Sequence, residues 1–291
     1  MTLESLRLLE KAVEECCSGS EVGLVFSAGI DSTLIGVLAS KYCRLQAYSV
    51  GIKGSHDLDY ARKIAGELLF KVNIVEVSEQ EIERELPRIV KVVKTASPLD
   101  ISVAIPFYFA SKQAGKDGLK IVLCGQGADE LFGGYNRYIE LLAKGTYEQL
   151  EELMKKDLKE LPKSNLERDI RVCKSNGVKL EIPFLNKKFV EFVQEIPVQL
   201  KVKEVSDLEK ADYDCIDEIG DMKFIRKYIL RKIAEKAGVP KAVIHREKKA
   251  AQYGSGSQKT LEKLARKNNY KKKAMNAGRK DFTQMYLQSM L

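Results

Sequence analysis

From Glu21 to about Tyr147, short apolar runs alternate with longer amphipathic stretches, which is the pattern of a parallel sheet wrapped by helices. Strands are predicted at residues 22–26, 45–50, 72–77 and 120–124. Helices are predicted between them, at residues 33–43, 58–69, 79–94 and 101–113. The Ser97-Pro98 step marks the break before the last of these helices. The pattern therefore predicts an α/β fold.

After about Tyr147 the pattern predicts no further strands. The rest of the chain reads as helical pieces separated by proline and glycine, as at Leu161-Pro162 and Ile196-Pro197. No internal repeat or long low-complexity linker divides the chain. We therefore expect two parts that pack as one unit. Residues 1–150 form an α/β core that begins with an N-terminal helix, and residues 151–291 form a mainly helical region that ends in a basic tail.

Composition excludes several classes of protein. The 291 residues are 44% hydrophobic, which is enough for a sizeable core. No run of about 18 apolar residues occurs, so neither a membrane helix nor a signal peptide is predicted. The six cysteines show no C-x-x-C spacing, which favours a reduced compartment and argues against zinc. We expect a soluble, cytoplasmic protein with no membrane contact.

The net charge of +8 is concentrated at the end of the sequence. Residues 259–291 hold nine basic residues against two acidic ones, which is +7 of the total. Such a region can attract RNA or another polyanion. It can also be the solvated end of a helical, Lys- and Glu-rich surface, which is the interpretation we favour. Both interpretations stay open from the sequence.

The first candidate for chemistry is the turn at residues 27–32, between the first predicted strand and the following helix. A small-residue turn that enters a helix points unpaired N–H groups outward at the positive end of the helix dipole, which suits a phosphate. Ser27 and Ser32 add hydroxyl donors, and Asp31 offers an oxygen to Mg²⁺. An ordinary helix N-cap is the simpler alternative.

The second candidate is the loop at residues 125–135, directly after the last predicted strand. Loops at the carboxyl ends of parallel strands line one crevice, so this loop and the Ser27 turn are expected to face the same ligand. Asp129 and Asp31 could then hold one magnesium ion between them. The alternative is that Gly133 and Gly134 cap a helix while Asp129 and Glu130 are surface charges.

These motifs resemble those of a known family. The first loop resembles the S-G-G-x-D-S signature of the PP-loop ATP pyrophosphatases. The second resembles G-E-G-x-D-E-x-F-G-G-Y in the synthetase domain of glutamine-dependent asparagine synthetases and β-lactam synthetases. Residues 165–169, followed by Gly177 and residues 183–185, look like the family segment that ends in G-x-E-x-R-x-P-F-L-D. Residues 227–231 and 246–248 look like its K-x-x-L-R and R-x-K elements.

The resemblance runs in the same order from about Val22 to Ser257 and implies a fold, two cofactors and a binding site. The implied fold is a parallel-sheet PP-loop ATP pyrophosphatase core, similar to the adenine nucleotide alpha hydrolases, with a mainly helical C-terminal region. The implied cofactors are ATP and Mg²⁺. The positions that match the family's ATP-binding residues are Phe26, Ser27, Gly29, Asp31, Ser32, Val50, Cys124 and Gly125.

The resemblance also implies catalytic and ligand-binding roles. Asp31 and Asp129 match the metal ligands, with Glu130 beside them. Lys248 matches a lysine that faces the reacting phosphoryl group, and Lys227 matches one near the pyrophosphate. The remaining matches are Gln126, at the position that orients the incoming amine, and Arg168 and Asp169, on the substrate side.

Several positions depart from the family pattern. Gln126 replaces a glutamate, and a neutral amide can orient a nucleophile but cannot take its proton at neutral pH. Lys179, Glu181 and Asn186 replace a glutamate, an arginine and an aspartate, which alters charges expected near the substrate. Ala28 replaces a glycine of the first loop, and we expect a negative φ there because an extra methyl group disfavours positive φ.

The leading hypothesis is an ATP-dependent ligase that adenylates aspartate or a related small-molecule carboxylate, releases AMP and pyrophosphate, and forms an amide with ammonia or another amine. The family's glutaminase domain is not part of this sequence, so glutamine as nitrogen source is expected to require a separate glutaminase subunit. The alternatives are a PP-loop enzyme that modifies RNA through the basic tail, and a nucleotide-binding subunit with little catalysis of its own.

Overall fold

A parallel β-sheet lies at the centre of the fold. The computed structural model describes residues 1–17, 21–163, 165–206, 211–247 and 254–291. The sheet is formed by β1 (Glu21–Val25), β2 (Arg44–Gly51), β3 (Lys71–Glu76), β4 (Ile121–Leu123) and β5 (Lys179–Glu181). The strand order is β3-β2-β1-β4-β5, and every neighbouring pair is parallel. The predicted α/β class is therefore confirmed.

Helices cover both faces of the sheet. In the first half they are α1 (Thr2–Cys16), α2 (Ile30–Ala39), α3 (His56–Ile64), α4 (Glu79–Val93), α5 (Pro98–Lys116), α6 (Ala128–Phe132) and α7 (Asn136–Leu142). In the second half they are α8 (Tyr147–Glu160), α9 (Asn165–Ser175), α10 (Lys187–Gln194), α11 (Val198–Lys201), α12 (Tyr228–Ala237), α13 (Lys241–Ile244), α14 (Ser257–Lys267), α15 (Tyr270–Asn276) and α16 (Phe282–Gln288).

Two apolar clusters hold the helices onto the sheet. Leu123 of β4 belongs to the cluster that includes Leu34 of α2 and Leu230 of α12. Its neighbour Val122 belongs to the cluster that includes Ile89 of α4. Successive side chains of a strand point to opposite faces, so one short strand anchors both layers. These five side chains are fully buried. Removing such apolar surface from water is the main favourable contribution to the folding of the core.

The strongly patterned elements of the first half are confirmed. Each of the four predicted strands is present within one residue at either end, and each predicted helix is present. Ser97 caps α5, since its hydroxyl oxygen accepts from the N–H of Asp100 (3.3 Å) and Pro98 occupies the first helical position. Helix α2 begins at Ile30 rather than at residue 33, so the Ser27 turn leads directly into the helix.

The prediction that strands end near Tyr147 is wrong. Strand β5 adds to the parallel sheet beside β4, and a second, antiparallel sheet is built from β6 (Val202–Val205), β7 (Asp217–Ile219) and β8 (Met222–Arg226) in the order β6-β8-β7. These strands are three to five residues long and rich in charged residues, so they carry too little apolar alternation to be seen in the sequence.

The division at residue 150 stays a prediction. Strand β5 comes from the second part of the chain but completes the sheet of the first. Helix α9, which also comes from the second part of the chain, packs against α5 of the first part.

Among the residues that the structure describes, no helix has the length and apolar character needed to cross a membrane.

Candidate active site

A cavity of about 510 Å³ opens at the carboxyl ends of the parallel strands. Its wall includes Ser27 after β1, Val50 near the end of β2, and Gly125 after β4. Parallel strands end at one edge of the sheet, so the two loops that carry the acidic motifs face a common space.

The turn between β1 and α2 is held in shape by its own serines. The N–H of Gly29, which precedes α2, donates to Ser27 Oγ (3.3 Å). Ser32 Oγ accepts from the N–H of Ser27 (3.3 Å) and donates to the carbonyl of Gly29 (3.2 Å). These bonds fix a small-residue turn at the positive end of the α2 dipole, which is an arrangement that receives phosphate oxygens.

Ala28 does not have the negative φ that we expected. Its φ is +56°, in the left-handed region, and its side chain is fully buried in the core. The left-handed conformation costs an alanine roughly 1–2 kcal/mol. Burial of the methyl group offsets about 0.8 kcal/mol of that cost. The turn therefore keeps its shape in spite of the substitution.

Asp31 and Asp129, which are remote in sequence, meet at the ammonium group of Lys227. Lys227 Nζ lies 2.6 Å from each oxygen of Asp31 and 2.7 Å from Asp129 Oδ1. The Lys227 side chain is 1% exposed, whereas those of Asp31 and Asp129 are 18% and 20% exposed. The structure thus gathers two carboxylates around one cation at the edge of the cavity.

Two glycines of the second loop make this convergence sterically feasible. A Cβ atom at Gly125 would lie 2.8 Å from the Cβ of Asp31. A Cβ atom at Gly134 would lie 1.9 Å from Asp129 Oδ1 and 2.4 Å from Lys227 Cε. Both approaches are too close for any side chain, so the loop needs glycine at these positions for the carboxylates and the lysine to meet.

The residues present fit a magnesium ion that arrives with phosphates. Asp31 and Asp129 supply hard oxygen donors, which lie close enough together to contact one cation, the Lys227 ammonium. Within the described parts of the chain, no cluster of three or more His, Cys, Asp or Glu side chains could hold a metal by itself. Magnesium usually binds through one or two carboxylates and completes its shell with water and substrate phosphates.

Glu130 is turned away from the cavity. It is 4% exposed, accepts a hydrogen bond from the Tyr135 hydroxyl (2.6 Å), and does not line the cavity. Burial raises the pKa of the Glu130 carboxyl, and the neighbouring charge of Asp129 adds to the effect. The structure places Glu130 beneath the loop, whereas Asp129 points into the site.

Arginines from β8 and α12 surround the carboxylate pair. Arg226 donates to both oxygens of Asp217 (2.7 and 2.6 Å) and to the carbonyl of Gly134 (2.8 Å). Arg231 donates to the carbonyls of Arg226 (3.0 Å) and Ile244. Burial lowers the pKa of the Arg231 guanidinium. Both guanidinium groups line the cavity as fixed positive charges.

Arg246 ties the C-terminal half to the first loop. Its guanidinium donates to the carbonyl of Ser27 (3.2 Å) and to Asp57 Oδ1 (3.0 Å), and it lies 3.9 Å above the ring of Tyr60. Burial raises the pKa of the Asp57 carboxyl, although the Arg246 charge acts in the opposite direction. Lys248, the predicted catalytic lysine two positions further on, lies outside the described residues.

Gln126 belongs to a second polar group at the wall of the cavity. Its Nε2 donates to Asp169 Oδ2 (2.5 Å), and Arg168 donates to both oxygens of Asp169 (2.8 and 3.2 Å). Arg168 also reaches Asp100 Oδ1 (3.0 Å). Asp169 has no exposed surface, and burial raises its pKa. Gln126 and Arg168 line the cavity, while Asp169 lies behind them and fixes their orientation.

The predicted adenosine positions form an apolar end of the cavity. Phe26, Val50 and Cys124 all line it, together with Tyr48 and Phe107. Burial raises the pKa of the Cys124 thiol, so this sulfur is an apolar wall atom at neutral pH. A flat aromatic base fits such a lining.

The departures at Lys179, Glu181 and Asn186 lie away from the cavity. Lys179 Nζ pairs with Glu181 Oε1 (2.5 Å) on β5. Asn186 caps α10 by accepting from the N–H groups of Lys188 (3.1 Å) and Phe189 (3.3 Å). None of the three lines the cavity, so the altered charges form local structural contacts.

Sequence reasoning assigned no role to several residues of this site. Arg226, Asp57 and Tyr48 belong to none of the motifs, and no signal in the sequence points to them. Arg231 and Arg246 belong to the K-x-x-L-R and R-x-K elements, so the sequence predicts that they lie near the site but does not predict their contacts.

The geometry agrees with comparisons against known proteins. A family model described as asparagine synthase matches residues 4–148 and 142–284. The chain is similar to a protein named putative asparagine synthetase (glutamine-hydrolyzing) 1 of Methanocaldococcus jannaschii, with 39% identity over 284 residues, covering 93% of this chain and 52% of that protein. It is 29% identical to asparagine synthetase B (glutamine-hydrolyzing) of Escherichia coli over 203 residues, covering 65% of this chain and 36% of the relative.

A third relative extends the comparison to plants. Asparagine synthetase (glutamine-hydrolyzing) of Zea mays is 27% identical over 264 residues, covering 86% of this chain and 42% of its own length. The chain spans about half the length, or less, of the curated relatives that it matches.

Proposed function

Because the chain belongs to the asparagine synthase family, we propose that it binds Mg-ATP, adenylates a carboxylate with release of pyrophosphate, and passes the acyl group to an amine. One observation carries the proposal. Asp31 and Asp129 converge on Lys227 beside a serine- and glycine-rich turn at a helix N-terminus. This combination supplies metal ligands, a phosphate cradle and a fixed cation in one place.

The cationic wall suits pyrophosphate as a leaving group. Negative charge grows on the leaving phosphates when the bond between the α- and β-phosphates breaks. Lys227, Arg226 and Arg231 are buried and held by hydrogen bonds, so they stabilise that charge without having to reorganise. Asp31 and Asp129 would hold the magnesium ion, which would offset part of the triphosphate charge.

The part of the cavity wall that carries Gln126 suits the acceptor. Asp169 accepts from Nε2 of Gln126, which leaves the amide carbonyl oxygen as an acceptor for an incoming N–H group. Gln126 orients the amine but takes no proton from it at neutral pH. Arg168 also lines the cavity, but its guanidinium already pairs with Asp169 and Asp100.

We propose aspartate or a closely related amino acid as the carboxylate and ammonia as the simplest nitrogen source. The relatives named above carry glutamine hydrolysis in their names. Delivery of ammonia to this chain by a separate glutaminase subunit is part of the proposal. The names of these relatives support aspartate as the substrate, and the amide of Gln126, which can orient an amine, supports ammonia as the nitrogen source.

The test is pyrophosphate release from Mg-ATP, measured over a panel of amino acids with and without ammonium. We expect one acidic amino acid to stimulate pyrophosphate release and, with ammonium present, an equal amount of AMP to form. Asp129→Asn should lower the rate at least about 100-fold, since it removes a metal ligand from the phosphate site. Asp59→Asn, at an exposed aspartate paired with Arg62, is the matched control and should retain the rate. Bound ATP without pyrophosphate release from any amino acid would instead support a non-catalytic nucleotide-binding subunit.

A further inference from the structure

The carboxylate pair of the proposed site is already paired with a cation that belongs to the protein. Lys227 Nζ contacts both oxygens of Asp31 (2.6 Å each) and Oδ1 of Asp129 (2.7 Å). The Lys227 side chain is almost completely enclosed, while each carboxylate keeps about a fifth of its surface toward the cavity. The ammonium therefore neutralises half of the pair's charge from inside the protein.

The fold itself places this ammonium group. Lys227 stands between the end of β8 and the start of α12, and its carbonyl accepts from the N–H of Arg231 (2.9 Å). Its backbone is left-handed, with φ +58°. The absence of a side chain at Gly134 leaves the channel through which the lysine reaches the carboxylates. A mobile lysine side chain on the surface would lack these constraints.

This pairing changes how the two aspartates meet a divalent cation. Bare carboxylates held this close repel each other and would attract a divalent ion strongly. With the ammonium in contact, the same ion meets a positive neighbour, and both oxygens of Asp31 already accept from it. The phosphates of a nucleotide would restore the missing negative charge on the cavity side.

From this geometry we infer that Lys227 keeps the aspartate pair from binding a divalent cation alone, so that metal and nucleotide triphosphate enter together. The inference rests on the proposed nucleotide function and adds the condition under which the metal is bound. Its consequence is that free metal neither fills the site nor holds the two loops together before the nucleotide arrives.

The experiment titrates Mn²⁺ alone into the protein, without nucleotide, and reads bound metal by electron paramagnetic resonance. We expect weak binding to the wild type and an affinity at least about tenfold higher in Lys227→Met, because the positive neighbour is removed. Lys227→Arg is the matched control: it keeps the positive charge and should bind Mn²⁺ as weakly as the wild type. Adding Asp129→Asn to Lys227→Met should abolish the gain, which places the new metal at this pair.

Equal Mn²⁺ affinity in the wild type and Lys227→Met would overturn the inference, as would an equal gain in Lys227→Arg. If Lys227→Met fails to fold, as judged by its melting transition, the wild type decides alone. If the wild type binds Mn²⁺ tightly and Asp129→Asn loses that binding, the inference is contradicted. If the wild type binds Mn²⁺ weakly and Asp129→Asn leaves the affinity unchanged, the inference is supported. No catalysis is measured, so a negative result here leaves the pyrophosphate assay to test the proposed function separately.

Discussion

At the scale of single residues, the site holds two non-glycine residues in left-handed backbone conformations. Ala28 (φ +56°) shapes the turn before α2, and Lys227 (φ +58°) directs an ammonium group to the carboxylates. Such conformations persist only where the surroundings impose them, and they concentrate at functional sites. Asp31 and Asp129 could be predicted as partners because both follow strands of a parallel sheet. The contact with Lys227 could not be derived in this way, because Lys227 follows β8 of the second sheet, whose short strands the apolar pattern does not reveal.

Replacing Ala28 by glycine should change the free energy of unfolding by less than about 1 kcal/mol. Relief of the left-handed conformation favours glycine, whereas loss of the buried methyl group and a more flexible unfolded chain oppose it. Ala28→Val should destabilise the protein by more than about 2 kcal/mol, since a β-branched residue is strained at positive φ and larger than its space. Urea unfolding measures both effects.

Ala12→Gly is the control for Ala28→Gly. Ala12 is also buried but lies inside helix α1, where glycine gains nothing from φ. Ala12→Gly should lower the free energy of unfolding by about 1 kcal/mol or more. If Ala28→Gly proved as destabilising as Ala12→Gly, strain at Ala28 would not be the correct description of the turn.

At the scale of elements, the sequence predicts what is long and regularly patterned. Strands β1 to β4 and helices α2 to α5 carry apolar runs, capping residues and a Ser-Pro break, so their positions follow from local chemistry. The pattern does not predict the short helices α6 and α7. Strands β5 to β8 depend on neighbours supplied by the fold. Lys179 and Glu181, for instance, enter β5 because β4 offers an unpaired edge, although neither residue favours strands.

A buried lysine ends α11 and makes stability depend on pH. Lys201 is 6% exposed, and burial lowers the pKa of its ammonium group from 10.5 to about 8. Below pH 8 both the folded and unfolded forms are protonated, and the full cost of burying the charge is present. Between pH 8 and about 10.5 the unfolded chain binds more protons, so stability should rise with pH and then level off.

Lys201→Met should therefore stabilise the protein at pH 7 by about 2–3 kcal/mol and flatten the rise between pH 8 and 10.5. Lys187→Met, at an exposed lysine paired with Glu191, is the control and should change stability by less than about 0.5 kcal/mol. Thermal unfolding across this pH range measures the difference. A stability profile of Lys201→Met parallel to that of the wild type would show that Lys201 is not the group responsible.

At the scale of the whole molecule, the basic C-terminal region is part of the packed fold. Leu261 and Leu264 of α14 and Leu287 of α16 are buried against α5. Lys263 and Lys267 pair with Glu79 and Glu83 of α4, respectively (2.5 and 2.7 Å). Part of the positive charge is thus neutralised within the protein, which supports the interpretation of this region as a solvated helical layer and weakens the RNA hypothesis.

We expect binding to transfer RNA to be weaker than about 10 µM at 150 mM salt, and to tighten only as the salt concentration falls. Fluorescence anisotropy with labelled RNA measures this. The variant in which the exposed residues Lys271, Lys272 and Lys273 are all replaced by serine keeps the buried leucines and provides the test. Submicromolar binding that this variant loses would revive an RNA-modifying role.

The most direct measurement is a double-mutant cycle on Mg-ATP affinity, determined calorimetrically for the wild type, Asp31→Asn, Asp129→Asn and the double variant. If both aspartates bind one metal-bound triphosphate, each single substitution should weaken Mg-ATP binding at least about tenfold. The double variant should then be little worse than the weaker single variant, which corresponds to a coupling of about 1–3 kcal/mol. Independent, additive losses, or unchanged affinity in either single variant, would show that the two carboxylates do not share a ligand.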